Sequence, residues 1–183
     1  MQVPDIRLRY FEKKDIPLKV KWLNDPAVNR FLHYDLPLCE DRTLNWYNRI
    51  INDPSRVDFA IDVLEGDQIF TVGLIGLLNI DHRNRKAEFY ITLGDTAFQG
   101  RGIAYHAGRQ FIDYSFKRFN LNKIYLYTEE QNEKAQRLFE RLGFTREGLL
   151  KEDLIYMGRP INRYIYGLLR EVFYREENRS TSL

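Results

Sequence analysis

Apolar and polar residues alternate over Ile6–Phe11, with basic side chains in the polar places, the period-two pattern of a half-buried strand. Asp15 then stands where a helix N-cap would, with Pro17 in the first turn and Leu18, Val20, Trp22 and Leu23 supplying apolar area. Asn24-Asp25-Pro26 closes that helix, and residues 27–38 show no period and are expected to be loop-rich. Thr43–Ile51 carries Leu44, Trp46, Tyr47, Ile50 and Ile51 at helical spacing and stops at Asn52-Asp53-Pro54.

Strand patterns follow. Val57–Leu64, the tight-turn signal Glu65-Gly66-Asp67, a long run Ile69–Asp81 containing Gly73 and Gly76, a polar turn at His82–Arg85 and Ala87–Leu93 together predict an antiparallel meander. From Gly102 to Phe119 the period is helical, with Ile103, Ala107, Phe111, Tyr114 and Phe119 near one stripe. Ile124–Thr128 returns to strand, and Asn132–Leu142 reads as a short helix with Gly143 in a C-cap position. Leu149–Tyr156 and Arg163–Val172 suit a last pair of strands around Met157-Gly158-Arg159-Pro160. With no repeat and no linker, the expectation is one mixed α/β (α+β) domain over residues 1–174. Its mostly antiparallel sheet is flanked by helices, and a frayed tail covers 175–183.

The chain has 183 residues, 44% of them apolar and 14% aromatic, enough to fill the core of one such domain. Its 28 basic and 26 acidic residues nearly balance, which argues against nucleic acid as the main partner. Cys39 is the single cysteine, so no intrachain disulfide can form and a reducing compartment is expected. Met1-Gln2-Val3-Pro4-Asp5 has neither a basic region nor an apolar run, so no signal peptide is expected. No uninterrupted apolar stretch reaches the ~18 residues of a membrane span. A cytoplasmic protein, with neither membrane nor nucleic acid as a partner, is the resulting expectation.

Chemistry concentrates between the last strand of the meander and the first long helix, at Gln99-Gly100-Arg101-Gly102-Ile103-Ala104. Two glycines let the backbone turn sharply and approach a ligand without a Cβ in the way. Amides at a helix start have no partner within the helix and lie at the positive end of its dipole, so they suit a phosphate; Arg101 could add a cation. A P-loop would continue Gly-Lys-Ser/Thr, and here Ile103 and Ala104 follow Gly102. A dinucleotide fingerprint needs a third small residue where Tyr105 stands, after a βαβ unit rather than a meander.

The pattern Gln-x-x-Gly-x-Ala resembles the pyrophosphate loop of the GNAT (Gcn5-related) N-acetyltransferases. Asn132-Glu133-Lys134-Ala135, Phe139 and Leu142-Gly143-Phe144 are similar to that family's Asn-x-x-Ala…Gly-Phe helix. Ala87-Glu88-Phe89-Tyr90-Ile91 and Asn120–Leu126 look like the branch holding ribosomal-protein N-terminal, spermidine and amino-sugar acetyltransferases. The resemblance implies a sheet split to admit acetyl-CoA, the co-substrate, and direct acetyl transfer to a primary amine; no metal is expected. It places Ile91 and Leu93 as backbone contacts to pantetheine, the amides of Gln99, Gly100, Arg101, Gly102, Ile103 and Ala104 on the pyrophosphate, and Asn132 near the pantetheine arm. Lys134 and Arg137 could approach the adenosine phosphates, although a solvated helix face explains them as well. A homodimer is compatible with the resemblance.

Transfer requires an amine to lose a proton and a thiolate to gain one. Glu88 is the candidate base; on a strand it shares a face with Tyr90 and Thr92. The family's acid, a Tyr four residues after the motif alanine, is here Phe139, which has no proton to give. Solvent, another residue such as Tyr125 or Tyr127, or a CoA-binding module with weak or no catalysis remain open. Because transfer in the family is direct, Cys39 is expected to be structural. The acceptor segments Arg30–Glu40 and Asn79–Lys86 mix Asp35, Glu40 and Asp81 with Arg30, Arg83, Arg85 and Lys86, a poor match to a polyamine, which needs paired carboxylates. A protein N-terminus, a small amine or an amino sugar is the preferred acceptor and a polyamine the alternative; His33, Tyr34, Trp46 and Tyr47 could line its pocket, although core packing is the better reading of Trp46.

Overall fold

The structure, a computed structural model, describes the backbone of residues 5–181 and the side chains of residues 5–175. The elements run β1 (Asp5–Tyr10), α1 (Ile16–Asn24), α2 (Pro26–Asn29), α3 (Glu40–Ile50), β2 (Val57–Glu65), β3 (Gln68–Asp81) and β4 (Lys86–Leu93). Then come α4 (Ile103–Arg118), β5 (Lys123–Glu129), α5 (Glu133–Arg141), β6 (Thr145–Tyr156), β7 (Arg159–Leu169) and α6 (Arg170–Thr181), with 3-10 turns at Lys13–Asp15 and Thr96–Phe98. The strands form one mixed sheet in the order β1-β2-β3-β4-β5-β7-β6, flanked by helices. The meander is as expected, and none of the described helices is long and apolar enough to cross a membrane.

Three stretches differ from the sequence reading. Within the segment expected to be loop-rich, Pro26–Asn29 forms a helical turn because Asp25 accepts a 2.8 Å hydrogen bond from the Ala27 amide and Pro26 presets the first helical φ. β6 begins at Thr145, four residues before the expected Leu149, and bulges after Arg146 and Leu150 break its period. β7 stops at Leu169 rather than Val172, where the Arg170 amide bonds to the Asn122 carbonyl at 2.9 Å and the chain turns helical. The helix buries Phe173, its ring 5.6 Å from that of Phe116. It carries the backbone to Thr181, so the tail expected to fray is helical that far; its side chains beyond Arg175, and residues 182–183, lie outside the described residues.

The chain divides into two compact units, Met1–Leu78 with Tyr90–Phe111, and Asn79–Phe89 with Ile112–Leu183. In the first, β2 is buried on both faces. Phe59, Ile61 and Val63 point one way, and the Phe59 ring meets Phe111 of α4 at 5.2 Å; Asp58, Ala60 and Asp62 point the other way. A carboxylate in mid-sheet must be paired. Asp62, 1% exposed, accepts from Arg7 Nη2 at 2.8 Å, Arg9 Nε at 2.9 Å and Thr71 Oγ1 at 2.8 Å. Arg9 also grips buried Asp15 through both terminal nitrogens, at 2.7 and 2.8 Å. Asp15 therefore spends its carboxylate on Arg9 and on the Glu12 amide, 2.8 Å away, instead of capping α1 as expected.

At the far end of β4, Gly94 and Asp95 both donate to the Val72 carbonyl, at 2.9 and 3.0 Å. A Cβ on Gly94 would stand 2.1 Å from the indole of buried Trp22, so glycine is what lets α1 seat against this strand end.

In the second unit, β4 and β5 are parallel, and the crossover through α4 is what parallel pairing requires. Their register covers only Lys86↔Lys123, Ala87↔Ile124 and Glu88↔Tyr125. β5 pairs antiparallel with β7 along its whole length, burying Ile124, Leu126 and Thr128 on one face.

Burial raises the Arg9–Asp62 pair's importance, since removing one partner strands the other. Hydrogen bonds from Arg9 to Asp15 and Asp62 outweigh burial and raise the Arg9 pKa; burial opposes ionisation of Asp62, but the bonds from Arg7, Arg9 and Thr71 win and lower its pKa. Arg9→Ala is expected to destabilise by about 3–5 kcal/mol in urea titration. The Asp62 contribution is present above the ordinary carboxylate pKa and is lost as pH falls through the depressed folded-state value.

Candidate active site

The loop in the first unit is shaped by its own backbone. Asp95 Oδ1 accepts from the Ala97 amide at 3.0 Å, the Thr96–Phe98 turn buries Phe98, and Gln99 leaves it extended. Gly100 and Gly102 both have φ of +78°, a region that strains any residue with a Cβ. A Cβ on Gly100 would meet nothing within 4 Å, so the requirement there is conformational and the space above it is open to a ligand. The first helical bond of α4 runs from the His106 amide to the Gly102 carbonyl, at 3.1 Å. The Ile103 and Ala104 amides therefore precede the hydrogen-bonded ladder and sit at its positive end, which fits an anionic pyrophosphate. Arg101 forms an ion pair with Glu65 and lies 4.7 Å over the Phe98 ring.

The first unit also assembles a cluster on the side of β2 and β4 that faces α1 and α3. Tyr90 lies across Gly76, where a Cβ would stand 2.5 Å from its ring. Its hydroxyl donates to Asp58 Oδ1 at 2.5 Å. Arg56 clamps the same carboxylate with Nε at 2.8 Å and Nη2 at 2.7 Å, and its guanidinium lies 5.1 Å from the Trp46 ring centroid. Lys19, only 8% exposed, holds Nζ 4.0 Å from that same ring centroid, 5.9 Å from Phe11 and 6.0 Å from Tyr34. Burial lowers the Lys19 pKa to about 8, with nearby Asp58 opposing and Arg56 adding to the shift. Burial, aided by the Asp58 charge and hydrogen bond, pushes the Tyr90 phenol well up, so it remains a donor.

In the second unit, Glu88 Oε2 accepts from Asn79 Nδ2 at 2.9 Å. Parallel register puts Tyr125 directly beside Glu88. Burial raises the Tyr125 pKa first, and the charges of Glu88, Tyr127 and Asp81 add to it, while a hydrogen bond with Asn79 works against them. Lys86 Nζ lies 5.8 Å over the Tyr125 ring, and Tyr127 carries the Arg163 guanidinium at 4.5 Å. Carboxylate, amide and phenol thus meet across three neighbouring strands, a group able to hold an ammonium and take its proton.

Elsewhere in this unit, Asn132 Oδ1 caps α5 through the Ala135 amide at 3.2 Å. Phe139 is 7% exposed and packs against Phe89, Phe144 and Tyr166 at 6.5, 6.1 and 6.3 Å between centroids. Arg137 pairs with Glu133 one turn away at 3.1 Å on an exposed face, as a solvated helix surface would. Ile91 and Leu93 are half-buried on β4, beyond its last register partner on β5. Cys39 is exposed at the N-cap of α3. No group of three side chains suited to a metal occurs among the described residues.

Trp46 packs against the core cluster, and with Tyr34 it surrounds a lysine that the sequence reading does not single out. The signal was available: Ile16, Lys19 and Leu23 recur at three and four, so Lys19 stands on the buried stripe of α1. Arg56 and Asp58 pair two residues apart, but Tyr90 reaches Asp58 from another strand and Asn79 reaches Glu88 from the strand before it, so no local motif betrays these contacts.

A glycine cradle at a helix start and a short parallel strand pair that ends at a carboxylate are compatible with an acyl-CoA-dependent transferase. The profile of the acetyltransferase (GNAT) domain family matches residues 5–145, and the chain belongs to that family. It is 39% identical over 154 residues to the spermidine N(1)-acetyltransferase of Vibrio cholerae, covering 84% of this chain and 87% of that one. It is 34% identical over 178 residues to YdaF of Bacillus subtilis, whose name proposes a ribosomal N-acetyltransferase, covering 94% and 95%. The crystal structure of the Vibrio cholerae spermidine N-acetyltransferase with CoA and spermine superposes with a TM-score of 0.85 at 29% identity, covering 92% of this chain and 98% of that one. The protein is an N-acetyltransferase that uses acetyl-CoA and an amine acceptor.

The buried ammonium has a measurable stability signature. Below about pH 8 both folded and unfolded chains carry the Lys19 proton, and the burial penalty acts in full. Between there and the unfolded value of 10.5 the unfolded state holds a proton the folded state has shed, so this contribution makes stability rise with pH. Part of the penalty is returned by the ring faces. Lys19→Met is therefore expected to stabilise the fold at pH 7 by about 1–3 kcal/mol, with the advantage shrinking towards pH 10 in paired urea titrations.

Proposed function

We propose that Glu88 takes the proton of the acceptor amine and that the Gln99–Ala104 loop holds the CoA pyrophosphate. The observation that carries the reading is the Glu88 carboxylate, oriented by Asn79 at 2.9 Å and flanked by Tyr125 on the paired strand. A carboxylate so placed attracts the ammonium form and accepts its proton, leaving a neutral nitrogen to attack the thioester carbonyl. The amides of Gln99, Gly100, Arg101, Gly102, Ile103 and Ala104 bind the pyrophosphate, while Ile91 and Leu93 offer backbone groups to the pantetheine amides. The Asn132 amide nitrogen serves the same arm, its oxygen being engaged as a cap. Phe139 supplies apolar surface near the thiol and no proton. A thiol of ordinary pKa near ~8.5 leaves without strong acid help, so solvent suffices to protonate it.

The acceptor in this reading is a primary amine that is not a polyamine. The polycationic alternative is supported by the names of the relatives and by the bound spermine in the superposed structure. Against it stands the side-chain chemistry of this chain's acceptor segments, where Asp35, Glu40 and Asp81 are mixed with Arg30, Arg83, Arg85 and Lys86 and no paired carboxylates occur.

Glu88→Gln is expected to reduce thiol release by about 10²–10⁴-fold. Unchanged turnover would sink the assignment of Glu88. Gly100→Val, at a φ of +78°, is expected to abolish the rise in Tm that CoA produces while the apo chain loses only about 1–2 kcal/mol. An undiminished rise in Tm removes the loop from the CoA site.

A further inference from the structure

Three connections of the second unit converge on one asparagine side chain. Arg85 closes the turn between β3 and β4, Asn120 leads from α4 into β5, and Arg170 opens α6 after β7. The backbone sets them side by side. The Arg85 carbonyl accepts from the Asn122 and Lys123 amides at 2.6 and 3.1 Å, and the Arg170 amide donates to the Asn122 carbonyl at 2.9 Å. Arg85 Nε donates to the Asn120 carbonyl at 2.8 Å, and its Nη2 to Asn120 Oδ1 at 3.2 Å. Arg170 Nη1 donates to that same Oδ1 at 3.1 Å. Two guanidinium nitrogens thus flank one oxygen and lie no farther apart than those two bonds allow.

A structural tie explains only part of this arrangement. Arg85 alone joins the turn before β4 to the end of α4, through the Asn120 carbonyl and side chain. Arg170 adds a second cation to an oxygen that Arg85 already uses, and a neutral amide oxygen cancels neither charge. Each guanidinium has five N–H donors. Arg85 spends two and Arg170 one, and among the described residues no carboxylate pairs with either. Glu171, next to Arg170 in the chain, is exposed and makes no ion pair with it. Arg85 also stands at φ +52° and Asn120 at +50°. Asn tolerates that left-handed region, whereas Arg at the close of a turn is strained where Gly or Asn would not be. A residue kept there for its guanidinium has a use that the turn itself does not supply. Arg85 and Asn120 are exposed and Arg170 is half-buried, so a solute can reach the pair.

We propose that Arg85 and Arg170 form a binding site for a dianionic phosphate group, either inorganic phosphate or the terminal phosphate of a small molecule. A carboxylate has two oxygens and is filled by one guanidinium fork. A phosphate has more, and engages two forks together. The donors left on the nitrogens that flank Asn120 Oδ1 bind its oxygens, and Asn120 fixes their spacing. Two positive charges match the two negative ones of the ligand. The bound phosphate joins the turn before β4 to the start of α6, both within the second unit. The site uses neither Glu88 nor the Gln99–Ala104 loop and stands or falls apart from the reading of those.

The test is isothermal titration of the full chain at about pH 8 and fixed ionic strength, with saturating CoA present. The probes are inorganic phosphate, glucose 6-phosphate, acetate and a ten-nucleotide uridine RNA without terminal phosphates. Wild type is expected to bind at least one of the two phosphates about 10- to 100-fold more tightly than acetate. Arg170→Met is expected to lose that advantage while its Tm stays within about 2 °C of wild type and thiol release is unchanged. Arg170→Lys, which keeps the charge without the fork, is expected to recover only part of it. Tighter binding of glucose 6-phosphate than of inorganic phosphate identifies a terminal phosphate as the ligand, and the reverse identifies the free ion. Phosphates bound no more tightly than acetate overturn the site, as does phosphate binding that Arg170→Met leaves unchanged. If Arg170→Met does not fold, Arg170→Lys decides, and an undiminished preference for phosphate overturns the site. RNA bound more tightly than both phosphates, and weakened by the Arg170 variants, makes this surface a nucleic-acid contact and overturns the proposal as well.

Discussion

One guanidinium, that of Arg9, holds two buried carboxylates from different parts of the first unit. Asp62 lies in mid-strand on β2, and Asp15 ends the turn that launches α1. Because neither acid can reach water, the positions of sheet and helix are not independently adjustable: a shift of α1 opens a charge–charge contact in a low-dielectric place. Arg7 and Thr71 fill the remaining lone pairs of Asp62, so the network is satisfied and stiff. The start of α1 fixes where its first turns go, and with them Lys19 and Trp22. The electrostatics of the cluster around Trp46 are thus set by an ion network elsewhere in the same unit.

Much of the fold could be read along the chain because it is local. Period-two runs gave the meander, the three-and-four stripe gave α4, and Asn132 and Gly143 marked the ends of α5. The failures have local causes too. The helical turn at Pro26 is four residues long, too short for any periodic signal, and depends on one Asx contact. β7 passes into α6 without glycine or proline between Leu169 and Arg170, and an apolar pattern from Arg163 to Val172 suits either structure. At Asp15 the residue type suited a cap, but a long-range partner outcompeted the local one.

The site divides the same way. The Gln99–Ala104 loop is contiguous, so its glycines and the helix behind them were visible together. Glu88 was visible as a residue, whereas Asn79 and Tyr125, which orient and surround it, arrive from neighbouring strands and are defined by register. The cage around Lys19 draws on the residue after β1, the segment after α2, and α3, and no spacing links them. What could have been noticed is a lysine on the buried stripe of an amphipathic helix. Such a residue is a contradiction of the helix's own pattern, and contradictions of that kind tend to mark function.

The contact between Gly94 and Trp22 limits how this protein can change. With the indole resting where a side chain would begin, α1 is keyed to the end of β4 as a lock is to one key. Exchanging α1 for the equivalent segment of a relative would bring a different profile to that groove and disturb the strand end from which the Thr96–Phe98 turn and the glycine loop continue. This unit is thus more open to single side-chain replacements on a fixed helix than to transplantation of segments. The same close fit that orders the scaffold makes it a poor recipient of modular parts.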